Sequence, residues 1–120
     1  MELTDMASAK QVIEKFWEIQ NDHDYTKLSP LFADDAVFED PAIGRVEGKP
    51  AIEKLLAGLT KELADKKMHF EVLEIAGDEH VAWSRWLWKR PEGDIEGVGL
   101  YKVANGQLIS YRDFYAVPKG

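Results

Sequence analysis

The second half of the chain constrains the fold most. From residue 69 onward it divides into four β-rich runs, HFEVLEIAG, HVAWSRWLWKR, DIEGVGLYKV and QLISYRDFYAV, separated by or including GDE, PEG and NG. Branched and aromatic residues favour extended backbone, and turn residues between such runs mark antiparallel hairpins. The Asn105-Gly106 pair is the sharpest of these marks, because a two-residue hairpin turn needs positive φ at its central positions. The pattern predicts a meander of four long strands. Within it, Gly97 and Gly99 predict a sharp bend or a close backbone approach that curves the sheet, not a phosphate-binding loop.

The first half reads mostly as helix. Ala9, Val12, Ile13, Phe16, Trp17 and Ile19 fall near helical spacing, which predicts an amphipathic helix from Ala9 to Gln20 with Asp5 or Ser8 as its N-cap. Tyr25 to Phe32 predicts one or two short turns interrupted by Pro30. AVFEDP reads as a strand halted by Pro41, and AIGRVEG as a glycine-containing bend. After Pro50, the residues Ile52, Leu55, Leu56, Leu59 and Leu63 recur at helical intervals and define a second long helix. Helices first and a curved meander afterwards make an α+β fold, with about three helices packed on one face of a mixed, largely antiparallel sheet. Residues 1–120 are expected to form a single domain; at that length a chain buries roughly two-thirds of its unfolded surface.

Charge and composition exclude several functions. The net charge is −7 and no run of Lys and Arg is long enough to neutralise several phosphates, so nucleic acid is not an expected partner. No apolar run approaches the roughly 20 residues that span a bilayer, and MELTDMASAK lacks the basic and apolar regions of a secretory leader. The chain has no cysteine, hence no disulfide, thiolate nucleophile or zinc–thiolate centre. A cytoplasmic location is the expectation. His23, His69 and His80 lack metal-ligand spacing and read as surface residues; Asp34 and Asp35 read as a helix-to-strand turn.

The order helix, helix, strand, helix and four long strands resembles the nuclear transport factor 2-like superfamily. LFADDAVFEDPAIGRVEGKPAIEKLLAGL, residues 31–59, is similar to a segment of ketosteroid isomerases and SnoaL-like cyclases; SYRDFYA, residues 110–116, is similar to the last strand of limonene-epoxide-hydrolase-like proteins. The resemblance implies a cone-shaped sheet enclosing a cavity for a small hydrophobic molecule. It also implies a cofactor-independent enzyme of isomerase, cyclase, dehydratase or hydrolase type acting on a carbonyl or epoxide compound. The other implied reading is a non-catalytic small-molecule-binding or protein-interaction domain, because one fold hosts many functions.

Carried over residue by residue, the resemblance makes Asp40, in FEDP, the proton-abstracting aspartate of the isomerases. The isomerase oxyanion-hole positions are Phe16 and Gly99. Arg85 and Asp113 match two members of the hydrolase Asp-Arg-Asp triad, while Leu87 stands at the third. The resemblance points Arg85 into the cavity. Alternation along the strand then places Trp83, Arg85 and Leu87 inside, and sends Ser84, Trp86 and Trp88 outward. Two exposed indoles make an apolar patch, from which a homodimer through the outer sheet face is expected. Asp113 shares the inner face with Tyr111 and Tyr115. Phe16, Trp17, Phe38, Trp83, Leu87, Gly99, Tyr101, Tyr111 and Tyr115 are the expected substrate-contacting residues. An Arg85–Asp113 pair would keep Asp113 ionised and leave Asp40 as the base. Each acid also has a structural reading: Arg85 with Asp113 as a self-satisfied pair, and Asp40 as a cap on the bend at Pro41.

Overall fold

The computed structural model describes residues 7–66 and 68–118. Its elements are α1 (Ala9–Gln20), a 3-10 helix (Tyr25–Leu31), β1 (Phe32–Asp40), β2 (Gly44–Glu47), α2 (Lys49–Glu62), β3 (His69–Gly77), β4 (Val81–Lys89), β5 (Ile95–Ala104) and β6 (Gln107–Phe114). Ser8 caps α1 by accepting from the Gln11 amide at 3.2 Å, while Gln11 Oε1 accepts from the Ser8 amide at 2.9 Å. This capping box satisfies two otherwise orphaned donors. Asp5, the other candidate cap, lies outside the described residues. Pro50 occupies the first turn of α2, where a missing N–H leaves nothing unpaired.

Six strands form one sheet in the order β2-β1-β6-β5-β4-β3. All neighbours are antiparallel except β1 and β6, which run parallel, with β2, α2 and β3–β5 between them in the chain. The bend in AIGRVEG contains a strand of its own, with β2 returning antiparallel along β1. Asp34 and Asp35 lie exposed within β1 and not in a turn. At the β5–β6 connection Asn105 and Gly106 take φ of 53° and 74°, as a type I′ hairpin requires. The helices cover one face of the sheet, and the result is an open α+β cone.

The core lies between α1, the 3-10 helix, α2 and the inner sheet face. Val12, Ile13, Phe16 and Trp17 of α1 meet Ala82 and Trp86 of β4, Tyr101 of β5, and Leu108 and Tyr111 of β6. Side-chain volumes on this face are complementary. A Cβ on Gly97 would overlap the Trp86 indole, and one on Gly99 would overlap the Tyr101 hydroxyl. The two glycines therefore clear the room that two large inward rings occupy on the same face.

This packing sets β4 in the phase opposite to the expected one. Ala82, Ser84 and Trp86 are buried, Trp86 to 2% exposure, and Trp88 is half-buried on the same side. Trp83, 37% exposed, shares the outer face with Arg85 and Leu87. Trp86 and Trp88 are accordingly not an outward patch. The inner face takes the indole that fits over Gly97, whereas the outer face gives the guanidinium two acidic neighbours and keeps it in water. Burying an unpaired guanidinium would cost far more than exposing one indole.

Candidate active site

A cavity of about 220 Å³ opens between the inner sheet face and the helices. Half of the residues around it are aromatic: Phe16 and Trp17 from α1, Tyr25, Phe32 and Phe38, Phe70 from β3, Trp86 and Trp88 from β4, and Tyr111 and Tyr115 from the β6 end. Leu28, Leu56, Leu59, Leu63, Met68, Ala42 and Ile43 complete the apolar wall, and Gln20, Asp40 and Asp113 are its strongly polar members. Phe38 and Tyr111 stack at 4.7 Å with their planes 2° apart, and Trp86 meets Tyr115 and Phe70 edge-on at 5.7 and 5.4 Å. Such contacts hold the rings in fixed relation.

The two acids arrive from different strands. Asp113 lies on the inner face of β6 opposite Gly99, and Asp40 ends β1, the parallel neighbour of β6. Tyr111 Oη donates to Asp113 Oδ2 at 3.0 Å, and Tyr115 Oη donates to Asp40 Oδ1 at 2.8 Å. The Ala42 amide donates to the same Asp40 oxygen at 2.8 Å, so Asp40 also caps the bend that follows it. Asp113 Oδ1 is buried without a donor, and the Asp40 carboxyl lines the same cavity.

The surroundings of Asp113 favour its protonated form. Burial pushes the Asp113 carboxyl well above the usual carboxylate range, the Asp40 carboxyl adds to the rise, and the Tyr111 hydroxyl opposes it only in part. Asp113 is 9% exposed, so little solvent screens these effects. The Tyr115 phenol is raised first by burial and then by its hydrogen bond to Asp40, and the Tyr111 phenol by burial and then by Asp113. Both phenols remain protonated donors.

Of the expected site residues, the structure brings Asp40, Asp113, Phe16, Trp17, Phe38, Tyr111 and Tyr115 to this cavity. Arg85 is elsewhere. Its guanidinium lies on the outer face and donates to Glu74 Oε1 at 2.9 and 3.0 Å and to Glu96 Oε1 at 2.9 Å. No Arg85–Asp113 pair forms, and Asp113 is not held ionised by it. Trp83 and Leu87 leave the site with Arg85, since all three share its strand face. Gly99 and Tyr101 are on the inner face but behind the cavity wall: Tyr101 Oη fills the space over Gly99 and bonds Ser84 Oγ at 2.6 Å, which also accepts from Trp17 Nε1 at 3.2 Å.

Trp86, Trp88, Phe70, Met68 and the α2 leucines were missed as site residues. Two glycines in β5 spaced to face Trp86 and Ser84 were the available signal for the first two. His23 is not a plain surface residue, for its Nε2 meets the Met68 carbonyl at 2.8 Å and helps fix the edge of the cavity.

Helices over an open, mostly antiparallel six-stranded sheet form the cone of the nuclear transport factor 2-like class. Within it the chain belongs to the SnoaL-like domain family, whose model matches residues 13–111. A putative ketosteroid isomerase from Kribbella flavida is similar in structure, with a TM-score of 0.75, 17% identity, and coverage of 99% of this chain and 85% of that one. A protein of ketosteroid isomerase-like fold from Catenulispora acidiphila, in complex with trimethylamine, gives 0.74 at 16% identity over 92% and 88%. The epoxide hydrolase/cyclase-like enzyme SalBIII, which acts in pyran ring formation in the polyether salinomycin, gives 0.71 at 15% identity over 90% of each chain. At these identities the likenesses establish the fold.

Proposed function

We propose that this SnoaL-like domain is an acid–base catalyst in which Asp40 and Asp113 move a proton on a small, largely apolar molecule carrying a carbonyl or epoxide oxygen. The observation that carries this reading is the convergence of Asp40 and Asp113, each held by a tyrosine hydroxyl, on one aromatic cavity. Burial keeps Asp113 protonated, so it can donate to a substrate oxygen, while Asp40, oriented by Tyr115 and the Ala42 amide, can take a proton from carbon or from water. Two carboxyls of unequal environment thereby divide the roles of acid and base. The reaction class is isomerase, cyclase, dehydratase or hydrolase type, needs no cofactor, and accords with the breadth of activities named among its structural neighbours. A chain without cysteine suits a reducing compartment, and the cytoplasm is where we place it.

Turnover of a panel of β,γ-unsaturated ketones and epoxides tests the reading. Asp40→Asn keeps the shape and removes the base, and should lower turnover by roughly 10²- to 10⁴-fold with little change in binding. Turnover that survives the substitution would refute Asp40 as the base. One observation favours a second reading, a ligand-binding domain of the same fold: the oxyanion-hole positions hold Phe16 and Gly99, which offer no side-chain donor. Binding of panel members without turnover would decide for it.

The same reading includes a homodimer through the outer sheet face, with different residues from those first expected. Trp83, Val98, Leu100 and Phe114 are each more than a third exposed and adjoin one another across β4, β5 and β6. Ion pairs of both signs flank them, Arg85 with Glu74 and Glu96 on one side and Arg112 with Glu39 on the other, so a second copy related by a two-fold axis meets compatible charge. Leu100→Glu should convert a dimer to a monomer in light scattering. A monomeric native protein, or an unaltered dimer mass in the variant, counts against this interface.

A further inference from the structure

The walls of the cavity and its charge favour the same kind of guest. Among the described residues its lining includes no Lys, Arg or His, so no cationic side chain of the wall faces the Asp40 and Asp113 carboxyls. Arg85, the cation expected there, is bound on the far side of the sheet. The aromatic rings present electron-rich faces, which attract cations electrostatically and most strongly from indole. Tyr115 stands crosswise to both neighbouring indoles, at 64° to Trp86 and 83° to Trp88, and its hydroxyl holds Asp40 at 2.8 Å. Trp88 already carries one cation, for the Arg90 guanidinium lies 5.2 Å from its ring centre.

We propose that this cavity binds a small alkylammonium group, seated among Trp86, Trp88 and Tyr115 beside the Asp40–Asp113 pair, in preference to a neutral group of the same shape. The proposal rests on the acid-pair reading and specifies its ligand class. An ammonium ion loses hydration on entering an apolar site, and the loss is smallest when its nitrogen is alkylated and its charge spread over methyl groups. A negative counter-charge and several ring faces offset what remains. The volume of about 220 Å³ lies below the usual range for drug-sized ligands, which suits a compact guest. Carboxylate and phosphate groups are excluded, since they would face the acids with no cation to receive them.

Choline and 3,3-dimethylbutan-1-ol have the same shape and differ by one charge, which makes them the probes. Isothermal titration calorimetry at low ionic strength should show choline binding at least 10-fold more tightly than the alcohol. Asp40→Asn should erase most of that ratio, and Trp88→Leu should weaken choline more than the alcohol. Equal or tighter binding of the alcohol, or no binding of either at tens of millimolar, overturns the proposal. Carboxyl ¹³C titration of the free protein separates this failure from failure of the acid pair. A shared proton with no preference for choline refutes the ligand class alone, whereas two aspartates titrating independently in the ordinary range refute the pair.

Discussion

Gly97→Ala tests the phase of β4, on which the placement of every cavity residue from that strand depends. In a half-exposed strand the change is ordinarily favourable, because it restricts the unfolded chain, by about 0.4–1 kcal/mol. Gly97 is not held in a left-handed conformation, so no backbone strain opposes it. What opposes it is the Trp86 ring, whose Cη2, Cζ2 and Cζ3 atoms are the nearest to the new methyl group. The indole has no room to swing away. It is 2% exposed and walled by Trp17, Phe70 and Tyr115 at ring distances of 6.1, 5.4 and 5.7 Å. Overpacking of such a site costs about 1–3 kcal/mol, so the net loss should be about 1–2 kcal/mol. For a chain of this length that lowers the melting temperature by about 3–10 °C, readable by near-ultraviolet circular dichroism, which reports the aromatic cluster directly. Adding Gly97→Ala to a Trp86→Leu background should be neutral or stabilising, because the clashing atoms are gone. A stable Gly97→Ala protein, or equal losses in both backgrounds, would refute an inward Trp86 and return Arg85 to the cavity side.

Two further predictions concern the walls and floor of the cavity. Because the folded chain holds the Asp113 proton above the ordinary aspartate value near 3.9, the folded state binds more protons than the unfolded state from that value up to the raised one. Stability should therefore be greatest at the acid end of this window and fall as pH rises through it; Asp113→Asn should flatten the slope in urea unfolding, and identical slopes for both proteins would refute a raised Asp113 carboxyl. Asn21, just after α1, donates from Nδ2 to the Phe70 carbonyl and accepts the Phe70 amide on Oδ1, both at 3.1 Å. Asn21→Ala should cost about 1–3 kcal/mol and speed hydrogen exchange at the Phe70 amide, where unchanged protection would show that solvent or a neighbouring strand takes over the bonds.

The helices and strands were legible because their signals are local. Periodicity marked α1 and α2, and the Asn105-Gly106 turn marked the last hairpin, whose register shifts between Lys102 and Val103 so that alternation from the turn alone does not give it. The short β2 was not legible, because a four-residue strand beside a glycine bend has too little pattern to separate it from a loop. Asp40, Asp113 and their tyrosine partners were reached through resemblance and alternation together. The orientation of β4 needed something neither supplies. VAWSRWLWK places a tryptophan on both faces, so its hydrophobicity does not choose between them, and only the neighbouring strands do. Gly97 and Gly99 demanded large rings inward, and Glu74 and Glu96 offered the guanidinium partners outward. Both signals were in the sequence, but their meaning depends on strand register.

That one reversal also changes the chemistry. With Arg85 inside, a fixed positive charge would hold Asp113 ionised and stand ready for a developing enolate oxygen. With Arg85 outside, the guanidinium is satisfied by two glutamates and leaves the cavity with acids, phenols and rings. Asp113 then keeps its proton because burial and Asp40 disfavour a second negative charge, and it becomes a donor. The fold and the acidic residues are the same in both arrangements. Moving one cation across the thickness of a sheet turns a cavity in which a guanidinium would face the acids into one whose wall holds acids, phenols and rings without a cation among the described residues.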